Sequence, residues 1–412
     1  MLQIKKEQVK FVIYTKKEVI QYVSEEDVKF IRLAFCDTFG NQKNISIMPT
    51  ELERAFEYGI GIDASAISGF GGDIYSDLLL FPDPSTLSVL PWRPSHGRVV
   101  RMFCSIFYPD GKPFELDSRQ ILKDAVKSAF NSGYSFSFGS ELEFYLFKTD
   151  EDGNPTDIPY DNASYMDIAP MDKGENVRRE ICLNLEQMGI LPESSHHEEG
   201  PGQNEIDFRF SDPLTAADNA ITFLSVVKTI ASRNGLYADF SPKPLKDFPG
   251  NSFHINISAK CLKSSEDLTT HITEGILNRI NDITLFLNPE ENSYERLGKF
   301  KAPKYITWSP ENRSQLIRIP AAKGEYKRLE LRSPDPAANP YLAFALLIYA
   351  SLEGIRNKEI PPQAVNKNLY DIKLNLDCNK LPENLSKAKN FAEKSQFVRE
   401  VLPENMIINY CK

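Results

Sequence analysis

Apolar and polar residues alternate along the stretch GSELEFYLF at residues 139–147. Alternation with a period of two, with aromatic and branched side chains, predicts a β-strand. It places Glu141 and Glu143 on one face of that strand, roughly 7 Å apart by the strand rise. Two carboxylates on one face repel each other unless something positive lies between them. The pattern therefore predicts a cation beside this strand.

Other segments show either strand or helix periodicity. Residues 30–35 and 99–106 are predicted to be strands. Residues 118–132, 174–188 and 340–352 carry apolar residues at helical spacing and are predicted to be helices. Suitable N-cap residues precede the first and the last of these helices.

The first part of the chain is richer in predicted strands than the rest. A turn-forming segment, YPDGKP at residues 108–113, follows it. Beyond the turn, strands and helices are mixed. The sequence therefore predicts an α+β protein with an N-terminal domain at residues 1–108 and a catalytic domain at residues 109–412.

Composition narrows the class of protein. The 412 residues are 41% hydrophobic, which is ample for a large core, and the net charge of −9 argues against a nucleic-acid surface. No apolar run is long enough to cross a bilayer, and residues 1–11 lack the apolar region of a signal peptide. The six cysteines show no C-x-x-C spacing. These features predict a cytoplasmic enzyme without nucleic-acid or membrane partners.

Residues 196–207, HHEEGPGQNEID, hold an unusual concentration of ionisable side chains. Two of the five histidines and four acids surround a Gly-Pro-Gly turn. A solvated acidic loop and a cation-binding loop are both consistent with this segment.

Two further strand-like segments carry polar faces. In GNSFHINIS, His254, Asn256 and Ser258 alternate with apolar residues, which fits either a structural histidine or a ligand. In KRLELR, Glu330 lies between two arginines on one strand face. That arrangement fits either an ion-pair ladder or a metal-binding carboxylate between two anion-binding guanidinium groups.

These segments together offer a set of metal ligands: Glu141, Glu143, Glu198, Glu205, His254 and Glu330. Oxygen-rich ligation with one imidazole suits Mg²⁺ or Mn²⁺ better than structural zinc.

Five arginines recur in the second half: Arg296, Arg313, Arg318, Arg328 and Arg332. Carboxylates and arginines together are typical of nucleotide-dependent phosphoryl transfer. No Walker A motif or kinase glycine-rich loop is present.

The motifs occur in an order that resembles the glutamine synthetase family. The matching segments are IDASAISGF, FPDPSTLSVLPW, GSELEFYLF, HHEEGPGQNEIDF, GNSFHINIS, NSYERL, NRSQLIRIP and RLELRSPDPAANPYLAFALL. They cover nearly the whole chain, and the spacing inside the acidic loop is similar to that of the shorter bacterial and archaeal subtype.

The resemblance implies both a fold and a reaction. We expect an N-terminal β-grasp domain, then a catalytic domain whose curved antiparallel sheet, flanked by helices, forms a funnel. Subunits of the family form stacked rings, usually a dodecamer, with each active site between neighbours. ATP phosphorylates the γ-carboxylate of glutamate, and ammonia then displaces phosphate from the γ-glutamyl phosphate.

The resemblance also assigns roles to individual residues. The first metal falls to Glu143, Glu198 and Glu205, and the second, on the nucleotide side, to Glu141, His254 and Glu330. Glutamate binding falls to Gly250, Arg296 and Arg332, beside Glu143 and His254. Nucleotide contacts fall to Glu193, Phe210, Ser258, Arg318 and Arg328. Catalytic roles fall to Glu198, to Arg313 at the phosphoryl group, and to Tyr165 and Asp63 at the ammonium site, with Asp63 coming from the neighbouring subunit.

The segment before Ala302 departs from the family pattern. The family has a glutamate there, in a flap that closes over the substrate, and this acid is thought to take the proton of ammonium. Here the position is Lys301, and residues 297–310 contain no acid. A lysine would repel ammonium. Glu199 also lies outside the family pattern, and smaller departures occur at Ala66, Pro249 and Asn256.

Three interpretations follow from these departures. The chain is a glutamine synthetase with an altered ammonium site, a ligase joining glutamate to another amine as in γ-glutamyl-polyamine or glutamylmethylamide synthesis, or a non-catalytic protein that binds nucleotide or glutamine. Six metal ligands argue against the third interpretation. Tyr370 resembles a tyrosine that is adenylylated in some family members, but the sequence after it departs from that pattern and favours a tyrosine in a surface turn.

Overall fold

The computed structural model describes residues 14–71, 76–370 and 378–412. The segment at residues 1–11, which carries the prediction about a signal peptide, lies outside the described residues. Among the described helices, none is both long enough and apolar enough to cross a bilayer.

The N-terminal part forms a six-stranded mixed sheet with two helices. Its elements are α1 (Lys16–Glu25), β1 (Val28–Cys36), β2 (Gln42–Ile47), α2 (Leu52–Tyr58), β3 (Ile60–Asp63), β4 (Asp77–Pro82), β5 (Ser88–Val89) and β6 (Arg98–Phe107). The strand order is β2-β1-β6-β4-β3, and β5 pairs with β6. The central strands β1 and β6 are parallel. Strand β1 contains the strand predicted at residues 30–35, and β6 contains the one predicted at residues 99–106, so both predictions are confirmed.

The larger part begins with α3 and is built around a second sheet. Its first elements are α3 (Ser118–Asn131), β7 (Tyr134–Thr149), β8 (Pro155–Pro159), α4 (Glu175–Gln187), β9 (Pro192–His197), β10 (Gln203–Ser211), α5 (Pro213–Arg233), β11 (Leu236–Asp239) and β12 (Phe253–Cys261). The remaining elements are α6 (Thr269–Leu287), α7 (Ser293–Arg296), β13 (Trp308–Pro310), β14 (Ile317–Ile319), β15 (Leu329–Leu331), α8 (Pro340–Asn357), α9 (Leu385–Lys394), α10 (Gln396–Val401) and α11 (Glu404–Cys411).

Nine strands form this second sheet, in the order β13-β14-β15-β12-β7-β10-β9, with β8 and β11 also paired with β7. All of its pairs except β13–β14 are antiparallel. The 16-residue strand β7 is therefore the centre of the sheet, since four other strands pair with it.

Helices cover the apolar face of this sheet. Helix α8 is apolar on nearly every side and is buried along most of its length, because it packs against α3, α5 and α6. Asn339 caps its first turn by accepting a hydrogen bond from the Tyr341 backbone at 3.1 Å. Asp117 caps α3 in the same way through the Arg119 backbone. The three predicted helices, α3, α4 and α8, are confirmed.

Buried polar contacts join the two sheets. Arg119 of α3 donates to both carboxylate oxygens of Asp218 at 3.0 and 2.9 Å, and to Asp83 of the N-terminal part at 3.0 Å. The Tyr341 hydroxyl also donates to Asp218, at 2.6 Å. A buried guanidinium paired with two carboxylates makes strong charge-assisted hydrogen bonds, so this contact holds the N-terminal part against helices α3 and α5.

Candidate active site

The pairing of β7 with its neighbours determines which side chains meet. Glu141 lies opposite His254 of β12 and Asp207 of β10, and Glu143 lies opposite Glu205 of β10. Directly opposed residues of an antiparallel pair point to the same face. Strand alternation therefore collects these side chains on one face of the sheet, as the sequence predicted for Glu141 and Glu143.

A first group of ligand atoms forms where β7, β12 and β15 adjoin. The Nδ1 atom of His254 lies 3.3 Å from a carboxylate oxygen of Glu141 and 3.8 Å from one of Glu330. Glu330 is buried and accepts hydrogen bonds from Arg318 at 2.7 Å and from Arg332. Burial alone would raise the pKa of Glu330, but Arg332, His254 and Arg318 together lower it to about 2. Its carboxylate is therefore charged over the physiological range.

A second group lies on the other side of His254. Glu143, Glu205 and His254 bring one potential ligand atom each to within 4.8 Å of one another, and so do His196, Glu198 and Glu205. Burial and the nearby Glu198 raise the pKa of Glu143. Burial, Asp207 and Glu143 raise the pKa of Glu205 well above its usual range. The causes are burial and the neighbouring carboxylates, both of which disfavour the charged form.

The donor set of both groups fits hard divalent cations. It consists of carboxylate oxygens and imidazole nitrogen, which suits Mg²⁺ or Mn²⁺. The groups share members. His254 belongs both to the group with Glu141 and Glu330 and to the group with Glu143 and Glu205, and Glu205 also belongs to the group with His196 and Glu198. The structure thus brings together all six ligands that the sequence proposed. Five of them are carboxylates, and their combined negative charge suits more than one divalent cation.

Asp207 joins this cluster although it was not among the predicted ligands. One of its oxygens lies within 4.8 Å of ligand atoms of Glu141 and Glu205. Burial and the Glu141 charge raise its pKa to about 6. Asp207 could have been predicted from the sequence, because it follows Glu205 by two residues on one strand and must therefore share its face.

Neutral side chains and backbone amides orient the carboxylates. Asn256 donates to Glu141 at 2.7 Å. Glu143 accepts from the Ser252 backbone at 2.8 Å and from the Gln203 side chain at 3.1 Å. These donors hold the carboxylate planes in place without adding charge, which a metal site requires of its surroundings.

Residues 198–202 connect β9 to β10 and are called here the metal loop. His197 holds the start of this loop, because its Nδ1 donates to the Glu198 carbonyl at 2.6 Å and its Nε2 lies 2.8 Å from Asp161. Asp161 also accepts from the Gly202 backbone at 3.0 Å. A Cβ atom at Gly200 would lie 2.0 Å from the Tyr145 hydroxyl, so only glycine fits there. The predicted acidic loop is therefore a fixed part of the site.

Two arginines lie beneath the cluster with part of their hydrogen-bonding capacity unused. Arg296 is only 2% exposed and donates to the Ser333 carbonyl at 2.8 Å and the Ser252 hydroxyl at 2.9 Å. Arg332 is 4% exposed and pairs with Glu330. Within the described residues, the buried Nε atoms of Arg296 and Arg332 have no hydrogen-bond partner. Both guanidinium groups bring positive charge next to the carboxylate cluster, and this charge suits them to stabilise an anionic substrate.

Gly250 lies directly against Arg296. A Cβ atom at this position would lie 2.2 Å from the Pro242 carbonyl and 3.0 Å from the Arg296 side chain. The absence of a side chain at Gly250 therefore permits the position that Arg296 adopts.

The residues predicted to contact nucleotide lie along neighbouring strands of the second sheet. Phe210 is 40% exposed and its ring meets that of Tyr326 edge to face, at 6.4 Å. Ser258 is on β12. Glu193 is exposed at the start of β9 and lies 3.9 Å from Arg209. The structure gives Glu193 no contact with the cluster among the described residues.

Arg318 and Arg328 lie beside the first ligand group. Arg328 donates to the Asn256 side-chain oxygen at 2.8 Å, and Asn256 in turn donates to Glu141. Arg318 bonds to Glu330. Both arginines therefore connect the proposed nucleotide side with the first ligand group.

Among the described residues of one chain, no contact joins Arg313 or Asp63 to the cluster. The side chain of Arg313 is exposed, and its carbonyl accepts a hydrogen bond from the Tyr370 hydroxyl at 2.6 Å. Asp63 is exposed at the end of β3 and accepts from Ser65 in its own turn. Both assignments therefore remain predictions.

The flap, residues 297–303, lies against the metal loop. The Lys301 ammonium lies 2.5 Å from Glu199 and 5.2 Å from the centre of the Tyr165 ring. The edge-to-face partner of Tyr165 is His196, at 5.5 Å. The ion pair between Lys301 and Glu199 was not foreseen from the sequence, and it joins the flap to the metal loop.

Residues 27–109 match the family model described as glutamine synthetase, beta-Grasp domain. Residues 115–412 match the model described as glutamine synthetase, catalytic domain.

The chain belongs to the glutamine synthetase family.

Relatives named glutamine synthetase are similar over almost their full length. The protein of Methanosarcina mazei is 46% identical over 412 residues, which cover 96% of this chain and 92% of the relative. That of Clostridium saccharobutylicum is 42% identical over 413 residues, covering 96% and 93%. One from Staphylococcus aureus is 40% identical over 406 residues, covering 94% and 91%.

Solved structures agree with the family assignment. A GmaS/ADP complex superposes with a TM-score of 0.87 at 28% identity, covering 95% of this chain and 93% of that one. A GmaS structure without ligand gives a TM-score of 0.86 at the same identity.

These findings confirm several predictions made from the sequence. The fold is a β-grasp domain followed by an α+β catalytic domain with a curled sheet flanked by helices. The protein is an ATP-dependent ligase of glutamate, and the family to which it belongs depends on ATP and a divalent metal. The interpretation as a non-catalytic binding protein is not retained.

Proposed function

We propose that this glutamine synthetase forms glutamine from glutamate and ammonia at the cluster between β7, β10, β12 and β15. The observation that carries the proposal is the pair of ligand groups that meet at His254, next to the buried guanidinium groups of Arg296 and Arg332. This arrangement offers adjoining sites for cations and for the anionic substrate that they activate.

The two ligand groups would hold two divalent cations, with Mg²⁺ and Mn²⁺ both suited to the donors. Glu143, Glu198 and Glu205 would bind one of them, and Glu141, His254 and Glu330 the other. Such cations neutralise the charge that develops on phosphate oxygens during phosphoryl transfer. Arg318 and Arg332 keep Glu330 ionised for this role through their contacts with its carboxylate.

Arginines would bind the anionic groups of the substrates. Arg296 and Arg332 would hold the carboxylates of glutamate through their guanidinium charge, and Gly250, whose missing side chain permits the position of Arg296, lies beside them. Arg313 reaches the transferring phosphoryl group from the exposed rim. The nucleotide lies along Phe210 and Ser258, near Glu193, Arg318 and Arg328.

The reaction itself proceeds in two steps. The γ-carboxylate of glutamate attacks the γ-phosphorus of ATP, which gives γ-glutamyl phosphate and ADP. Ammonia then attacks the acyl carbon, a proton leaves the nitrogen, and phosphate departs. Ammonium must lose a proton before it can attack, so acids belong at its site, and Tyr165 with the neighbour's copy of Asp63 would form that site.

A second function is favoured by one specific observation. The flap carries Lys301 where an acid would serve ammonium, and the chain superposes closely on GmaS structures. A ligase that joins glutamate to another amine would use the same cluster and the same first step. The two functions differ only in the nucleophile.

A panel of amines separates the two functions. We expect ATP- and glutamate-dependent phosphate release from the wild-type enzyme with ammonium, at a higher kcat/KM than with methylamine, a diamine or an amino acid. Phosphate release that is faster with another amine would transfer the proposal to the second function. Omission of glutamate is the control for simple ATP hydrolysis.

We also propose that subunits assemble into stacked rings, with a dodecamer as the expected size, and that residue 108 ends the N-terminal domain. The exposed position of Asp63, without a link to its own cluster, supports a site shared between neighbours. The end of β6 at Phe107 supports the boundary. The free state of all six cysteines supports a cytoplasmic location.

Subunit mixing tests the shared site. Asp63→Ala and Glu330→Gln should each be nearly inactive alone, because each removes one half of every site. Mixed rings should regain activity, since some sites then combine an intact Asp63 with an intact Glu330. Light scattering would establish the ring, and phosphate release would report the recovery. An active monomer, or no recovery in verified mixed rings, would contradict the shared site.

A further inference from the structure

The flap is held to the rest of the site by two separate contacts. Its Lys301 side chain pairs with Glu199 of the metal loop. Its backbone is held independently, because the Lys301 carbonyl accepts a hydrogen bond from the Tyr370 hydroxyl at 2.9 Å. The Arg313 carbonyl lies 2.6 Å from the same hydroxyl, so the two carbonyls share its single proton in a bifurcated hydrogen bond. The side chain of Lys301 can therefore leave Glu199 without releasing the flap backbone.

The surroundings of the Lys301 ammonium have the chemistry of a cation-binding site. A carboxylate, Glu199, lies on one side and the face of an aromatic ring, Tyr165, lies on the other. Aromatic faces and carboxylates are the groups that bind ammonium ions in proteins. Partial burial lowers the pKa of Lys301, but its bond to Glu199 raises it further, so the side chain stays charged.

This position adjoins the site where the amine must react. Tyr165 contacts His196, and His196 lies 3.0 Å from Glu198, which is proposed to bind one metal together with Glu143 and Glu205. The cation held between Glu199 and Tyr165 is therefore next to the metal loop. The lysine that replaces the family's acid does not act as an unbalanced positive charge, because Glu199 neutralises it.

We propose that Glu199 and the face of Tyr165 form the binding subsite for the protonated amine, and that Lys301 occupies this subsite until the amine displaces it. Glu199 thus supplies, from the metal loop, the negative charge that the flap lacks. Lys301 acts as an internal competitor and keeps the subsite filled when no amine is bound. The inference rests on the proposed function, since it assigns the residues that select its nucleophile.

Solvent exposure makes the exchange feasible. The Lys301 side chain is 52% exposed and that of Glu199 is 35% exposed. Ion pairs with this much exposure are weak. A small cation at millimolar concentration can compete with such a pair, whereas it could not open a buried one.

The test measures KM for ammonium separately from kcat. Lys301→Met removes the competing charge but keeps a side chain of similar length, and we expect it to lower the KM for ammonium about tenfold. Glu199→Gln should raise that KM by about the same factor. Neither change should alter the KM for glutamate or ATP by more than about twofold, because neither residue is among those proposed to bind these two substrates.

The double variant identifies competition as the cause. In the Glu199→Gln background, Lys301→Met should lose most of its benefit, because the subsite that Lys301 occupied is already weakened. Lys299→Met is the matched control, since it removes another flap cation two positions away and should leave the KM for ammonium unchanged. Circular dichroism and light scattering would verify folding and assembly of each variant.

Two results would overturn the inference, and they are distinct. Ammonium-dependent turnover in the wild type with an unchanged or raised KM in Lys301→Met would overturn it while leaving the proposed function intact. A wild-type enzyme that releases no phosphate with any amine would overturn the proposed function and the subsite together.

Discussion

Glu330→Gln is expected to reduce ATP- and glutamate-dependent phosphate release by about three orders of magnitude or more, because it removes a charged ligand from a hard cation. Glu330 is also the buried partner of Arg318 and Arg332. Its neutral substitute would leave two guanidinium groups facing an uncharged amide. Breaking a buried pair in this way costs about 3–5 kcal/mol, so we also expect a lower free energy of unfolding.

Glu141→Gln separates loss of metal binding from loss of stability. Glu141 belongs to the same ligand group, but its hydrogen bonds are with Asn256 and His254 and not with an arginine. We therefore expect a similar loss of turnover with a much smaller loss of stability. Mn²⁺ affinity should fall in both variants.

Calorimetric Mn²⁺ titration, phosphate release and thermal unfolding would check these expectations. Glu353→Gln is the matched control, because it makes the same substitution in an ion pair with Arg279 on the helical side of the protein. Near-normal turnover in Glu141→Gln would remove that residue from the metal site. Near-normal turnover in Glu330→Gln would do the same for its own assignment.

Arg296→Lys is the second change with a large expected effect. A lysine keeps the positive charge but cannot reach the Ser333 carbonyl and the Ser252 hydroxyl while also offering the free Nε donor of arginine. We expect kcat/KM for glutamate to fall about a hundredfold, which corresponds to about 2.7 kcal/mol. The free energy of unfolding should fall as well, because buried carbonyls lose their donors.

Steady-state kinetics with glutamate as the varied substrate would measure this loss. Arg279→Lys is its control, since Arg279 makes a two-bond contact with Glu353 away from the cluster. If Arg296→Lys lost stability but kept its KM for glutamate, Arg296 would be a structural residue beneath the site. The glutamate contact would then belong to Arg332 alone.

Much of the fold could be predicted because periodicity is a local property. The alternation at 139–147 correctly placed Glu141 and Glu143 on one face of β7, and helical spacing located α3, α4 and α8. The order of the motifs also indicated the family correctly. The strand and helix signals depend only on residues near one another in the chain.

The contacts between distant segments could not be predicted from periodicity. Nothing in the local pattern states that β12 lies between β7 and β15, which is what brings His254 to Glu330. The bond between Lys301 and Glu199 was missed for the same reason, because it joins two loops whose approach depends on the whole fold. Arg296 was expected to bind substrate, but only the structure shows that its guanidinium group also donates hydrogen bonds to backbone carbonyls such as that of Ser333.

The central position of β7 has a consequence for how the enzyme folds. Glu141 and Glu330 lie far apart in the sequence, yet they share one ligand group through β12. Contacts of such high contact order form slowly, because long loops must close before the strands can pair. A divalent cation would therefore find its full set of ligands only after β15 has docked. We expect added Mn²⁺ to slow unfolding without accelerating refolding, so that metal protects the finished enzyme and does not guide the chain towards it.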